Sequence, residues 1–103
     1  MSSIKNFSET EMNQFLYVGM DIHKDTHTAV ITNCFNQILL ELKISNSNKD
    51  FKKLVSKAER LSKKNNFIKP IFGLEDSYGY GSRLAKYLYQ NGYLVKVKKK
   101  FCG

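Results

Sequence analysis

The 103-residue sequence predicts an α/β fold built on one mixed sheet. Three observations carry this. Strand-type patterning runs from Leu16 to Ile44, helix-type spacing replaces it immediately afterwards, and a further strand-helix-strand run follows. The length suits one domain with a modest core, and 42% hydrophobic with 25% charged residues describes a folded chain rather than a disordered one.

Residues 1–14 read as a flexible leader, because Ile4, Phe7 and Met12 share no period. From Leu16 to Ile22 the sequence is almost continuously apolar, which predicts a strand covered on both faces and leaves Asp21 as an acid in need of a reason. Thr28 to Asn33 and Ile38 to Ile44 are alternating and rich in β-branched residues, and Asn36-Gln37 can turn the chain between them, so a hairpin is expected.

Phe51, Leu54, Val55, Ala58 and Leu61 then follow the spacing of one buried helical stripe, predicting a helix over 48–64. Ser47 can cap it, Asp50 adds a carboxylate in the first turn, and Asn65-Asn66 ends it. Ile68 to Leu74 reads as a fourth strand, with Pro70 near its start and Glu75 delivered at its carboxyl end. Gly79 and Gly81 mark a loop. Leu84, Ala85, Leu88 and Tyr89 form a second amphipathic stripe closed by Asn91-Gly92, and Tyr93 to Val97 begins a fifth strand.

The resulting order, β-β-β-α-β-α-β, is the ribonuclease-H-like one, with the first three strands antiparallel and the later ones returning through helices. In that arrangement strand four runs parallel beside a central strand one, so Asp21 and Glu75 converge at one edge. Paired carboxylates repel unless a cation lies between them, and hard oxygen donors favour Mg²⁺ or Mn²⁺. Asp21 and Glu75 are therefore the candidate metal-binding and catalytic residues.

Seventeen Lys and Arg against nine Asp and Glu give a net charge of +8, which favours anionic partners such as nucleic acid. The charge is polar along the chain: net −2 over residues 1–44 and net +10 over 45–103. Lys49, Lys52, Lys53, Lys57, Arg60, Lys63 and Lys64 give the first helix a cationic outer surface, and Lys24 is available to a phosphate as a compact point charge. These eight are the candidate nucleic-acid-binding residues.

Other features carry less. Asp25 and Asp76, beside the two presumed ligands, read as surface or supporting acids. His23 and His27 would share one face of a strand, but zinc needs further ligands and Cys34 is the only nearby thiol. Tyr78, Tyr80, Tyr87, Tyr89 and Tyr93 read mostly as core or boundary aromatics. Cys34 and Cys102 form no C-x-x-C pair, as expected of reduced thiols in a cytoplasmic protein. No apolar run approaches the roughly 20 residues that cross a bilayer, so no membrane partner is expected.

The run Tyr17-Val18-Gly19-Met20-Asp21-Ile22-His23-Lys24-Asp25-Thr26-His27, followed by Gly73-Leu74-Glu75-Asp76-Ser77-Tyr78-Gly79, resembles the DEDD transposases of bacterial insertion sequences. That resemblance covers about residues 16–97 and implies a RuvC-like N-terminal domain that binds Mg²⁺ through four acids, with a distant domain supplying a serine. Asp21 matches the first acid and Glu75 the second. It further implies action on DNA in transposition, an element-encoded guide RNA as a second partner, homo-oligomers in full-length members, and a bacterial, nucleoid-associated location.

The family's last two acids lie on a helix after the fifth strand. The expectation is thus a truncated or frameshifted transposase with a leader over 1–14, a partial RuvC-like domain over 15–97 and a basic tail over 98–103, inactive alone and weak in its hold on metal. A non-catalytic basic nucleic-acid-binding module is the alternative reading. A Holliday-junction-resolvase-like nuclease is another, disfavoured because those proteins carry Gly-Ile-Asp-Pro-Gly where this chain has Gly19-Met20-Asp21-Ile22-His23. Actin-like and sugar-kinase ATPases share the hairpin start, but their second similar domain does not fit in 103 residues.

Overall fold

Five strands and two helices follow one another in the expected chain order: β1 (Phe15–Ile22), β2 (Thr26–Thr32), β3 (Ile38–Ser45), α1 (Asn48–Lys64), β4 (Lys69–Glu75), α2 (Ser82–Gln90) and β5 (Leu94–Lys98). The computed structural model describes residues 15–33, 35–64 and 69–99. The leader, the Asn65-Asn66 stop and the end of the tail lie outside the described residues. Lys98, expected in the tail, is the last residue of β5.

Across the single sheet the order is β3-β2-β1-β4-β5, which differs from the order along the chain because β4 and β5 are added on the far side of β1. β1 pairs antiparallel with β2 and parallel with β4, β2 pairs antiparallel with β3, and β4 pairs parallel with β5. The sheet is therefore mixed, with β1 at its centre. The β2–β3 connection turns at Asn36, which takes a positive φ of 62° that asparagine tolerates better than most residues.

One expectation needs correction. β1 is not covered on both faces: Leu16, Val18, Met20 and Ile22 are buried, whereas Phe15, Tyr17, Gly19 and Asp21 are partly or fully exposed. The apolar run misleads because Tyr17 and Gly19 count as compatible with a core without occupying it. Both helices lie on the even-numbered side of β1, where Phe51, Leu54 and Ala58 of α1 and Leu84 and Leu88 of α2 join Val18, Met20, Phe72 and Leu74 in one buried cluster. Phe51 and Phe72 are the largest fully buried side chains, and truncating either to Ala costs about 3–5 kcal/mol.

The helix ends follow local chemistry. The Asp50 N–H points to Ser47 Oγ at 3.4 Å, while the Asp50 carboxylate reaches back to the N–H and hydroxyl of Ser45 at 2.7 and 2.8 Å. That backbone hydrogen bond from Ser45, before any other influence, lowers the Asp50 pKa below its usual value. At its other end α2 is closed as expected: Gly92 has a φ of +83°, its N–H donates to Tyr89 O, and the Tyr93 N–H donates to Leu88 O.

Candidate functional site

The register of β1 against β4 sets Asp21 directly opposite Glu75, and the same row continues through Thr28 and Lys43 on one side and Lys98 on the other. Side chains alternate between faces with period two, so all five belong to the face that the helices leave uncovered. The next row, Glu41, Val30, Gly19, Gly73 and Lys96, places two glycines side by side at the centre of the sheet. With no side chains there, the backbone forms the floor of a cleft of about 410 Å³ bounded by Asp21, Glu75, Lys96 and Lys98. A Cβ on Gly73 would meet nothing within 4 Å, and one on Gly19 would sit 3.8 Å from Val30 O, so the glycines keep space open rather than relieve a clash.

The strands ending at this edge also fix its rim. β1 turns into β2 through residues 23–25, closed by the His23 N–H donating to Thr26 O at 3.1 Å. This turn brings His23 Nε2 within 3.1 Å of Asp21 Oδ2, with both side chains about half exposed. The expectation that His23 and His27 share a face is overturned. His27 is fully buried against the Phe51 ring, at a centroid distance of 6.5 Å, while His23 lies beyond the end of β1. Among the described residues no group of three or more His, Cys, Asp or Glu could hold a metal ion.

Asp76 is not a surface acid. It is 5% exposed, and its carboxylate accepts backbone N–H groups from Tyr78, Gly79 and Tyr80 on Oδ1 (3.3, 3.0 and 3.1 Å) and from Gly81 on Oδ2 (2.8 Å). Its own N–H donates to Lys98 O at 2.9 Å, extending the β4–β5 ladder past Glu75. Glu75 is thereby held between a strand and a clamped loop. Asp25 is exposed in the β1–β2 turn, where its carbonyl accepts the Asn46 N–H at 3.1 Å.

The cationic residues divide. Lys24 is exposed in the turn next to His23. On α1, Lys49, Lys52, Lys53, Arg60, Lys63 and Lys64 are exposed and Lys57 is partly so, spanning roughly 22 Å of helix axis. They lie on the side of the sheet away from Asp21 and Glu75. The strand cations on the acids' own face are Lys43, Lys96 and Lys98 near the acids and Lys69 at the far end of β4, which helical charge patterning passes over and strand alternation could have found. Tyr87 and Tyr93 pack against the core as expected, whereas Tyr78 and Tyr89 are 75% and 77% exposed. No helix among the described residues is long and apolar enough to cross a membrane.

A family profile described as transposase, of the DEDD insertion-sequence type, matches residues 18–100. The chain belongs to that transposase family. No curated protein matches it. Among solved structures, this transposase-family chain is similar to a Bacteroides thetaiotaomicron protein with an actin-like ATPase fold and unknown function, at 12% identity and a TM-score of 0.56, over 87% of this chain and 35% of that one. An Aquifex aeolicus Ppx/GppA protein aligns at 10% identity over 82% of this chain and 35% of its own, with a TM-score of 0.46. The chain spans about a third of these structures, and the likeness is one of fold alone.

Proposed function

We propose that this transposase-family chain acts on DNA in transposition through a ribonuclease-H-like, RuvC-like half-site formed by Asp21 and Glu75. The observation that carries the reading is their pairing across β1 and β4, which brings two acids from distant parts of the sequence to one open edge. Their oxygens have the right chemistry for Mg²⁺ or Mn²⁺ and amount to two donors where octahedral Mg²⁺ takes six. A divalent ion held there supplies charge that stabilises the oxygens of a scissile phosphate.

The chain's own residues do the rest. Lys43, Lys96 and Lys98 flank the acids and can neutralise phosphates on the open face, Lys24 lies in the turn at the same strand ends, and the α1 cations offer a second phosphate-binding surface behind the sheet. Two carboxylates supply only part of the ligand set the ion takes, so the half-site is expected to hold metal weakly. DNA is the proposed partner, with an element-encoded guide RNA and further copies of the chain as additional partners of the family's full-length members. The second reading, a non-catalytic basic nucleic-acid-binding module, draws on the same shortage of donors. A Holliday-junction resolvase has no feature of its own in its favour.

Two titrations test the proposal. Binding of a labelled DNA duplex should weaken steeply between about 50 and 200 mM salt, as expected for contacts to phosphate. Mn²⁺ binding followed by electron paramagnetic resonance should weaken roughly tenfold in Asp21→Asn and in Glu75→Gln. DNA binding with no Mn²⁺ dependence on either acid would leave the non-catalytic module as the better reading.

A further inference from the structure

We infer that Tyr78 and Tyr80 form a stacking platform for unpaired nucleobases beside the Asp21–Glu75 edge. The inference rests on the DNA-handling reading above and deepens it by naming what the site holds besides phosphate. The two rings lie 5.7 Å apart at 47° to one another, and Tyr78 is 75% and Tyr80 39% exposed. Both rings stand on backbone that is held from within, since the N–H groups of Tyr78 and Tyr80 are bound by the buried Asp76 carboxylate.

The loop is rigid by construction. Gly79 takes a φ of +85°, and a Cβ on Gly81 would approach Asp76 Oδ2 to 3.1 Å and Ile22 to 3.2 Å, so the backbone closes tightly around the carboxylate. The backbone that carries the rings is thus ordered before any ligand arrives, which removes part of the ordering cost of binding. Tyr78 follows Glu75 by three residues, a span of at most about 11 Å. A base on Tyr78 and a phosphate at the acids can therefore belong to the same stretch of strand.

The chemistry of the edge selects the occupant. Lys24 and Lys98 are exposed at the same ends of the strands, and the chain carries a net charge of +8, so a polyanion with flat faces matches both the rings and the charge. Stacking accepts any base, because every base has a π-face, and it requires the base to be unpaired. The ligand is a single-stranded segment, of DNA or of RNA.

The sequence contains no tryptophan, so Tyr78→Trp in the full chain creates a single fluorescent reporter at an exposed position. Its emission should be quenched by a single-stranded dodecamer, and not by an abasic strand of the same phosphate count or by the corresponding duplex. Tyr78→Ala and Tyr80→Ala should each weaken single-strand binding about tenfold, with duplex binding within twofold and the circular dichroism spectrum unchanged. Comparing DNA with RNA dodecamers names the source, since quenching by either supports the platform. Equal binding of abasic and base-bearing strands without quenching overturns the platform and leaves phosphate binding intact. Binding of no oligonucleotide at all overturns both.

Discussion

The Asp76 carboxylate accepts the Gly81 N–H at 2.8 Å, joining the end of β4 to the start of α2 through a buried charge. Asp76 follows the candidate ligand Glu75 directly, so the clamp and the site share a backbone. Removing the carboxylate in Asp76→Ala leaves four N–H groups without their acceptor and is expected to cost about 3 kcal/mol or more. Asp76→Asn should cost less, since an amide oxygen can keep three of the four bonds while its NH₂ meets the fourth donor. Urea unfolding measures both.

Gly81 is fixed by space rather than by backbone conformation. A methyl group there meets Asp76 Oδ2 and both branches of Ile22 at 3.1 to 3.3 Å. Gly81→Ala is expected to destabilise by about 1–3 kcal/mol, whereas Gly73→Ala, with nothing within 4 Å, should change stability little and narrow the cleft. Equal effects of the two substitutions would contradict the packing described.

His27 is fully buried, and neither ring nitrogen has a hydrogen-bond partner among the described residues. Replacing an unsatisfied polar group by an apolar one of similar size is neutral or favourable. His27→Leu is therefore expected to leave stability unchanged or raise it by about 1 kcal/mol. A loss of more than about 2 kcal/mol would show that the imidazole makes a bond that matters.

Tyr93 donates its hydroxyl to Glu59 and packs edge-on against Phe72. Burial first, then the Glu59 hydrogen bond and charge, push its pKa from 10.0 up to about 12. The folded state thus keeps a proton that the unfolded chain loses. The stabilisation is complete below pH 10 and disappears as pH rises towards about 12. Denaturant unfolding across that window should show a fall in stability that is reduced in Tyr93→Phe.

Most of the fold was legible, and the exceptions have physical causes. The helix over 48–64 and the hairpin follow from periodicity because α1 and β2 each bury one face only. β1 misled because its open face carries Tyr17 and Gly19, residues that hydropathy does not separate from a core. The pairing of Asp21 with Glu75 was accessible from element order, since parallel strands joined through helices align their carboxyl ends. The role of Asp76 was not accessible, because an acid before a glycine-containing loop looks the same whether it is solvated or turned inward to bind N–H groups. The α1 lysines were correctly read as exposed, but only the sheet topology reveals that they face away from the acids.

The pairing of β1 with β4 joins segments more than 50 residues apart, while β1, β2 and β3 pair with their sequence neighbours. During synthesis the three-stranded meander can form as soon as its own residues leave the ribosome. Asp21 then waits for its partner until β4 has emerged and docked. The site comes into being with the longest-range contact in the sheet and vanishes when β4 detaches, even if the meander stays paired.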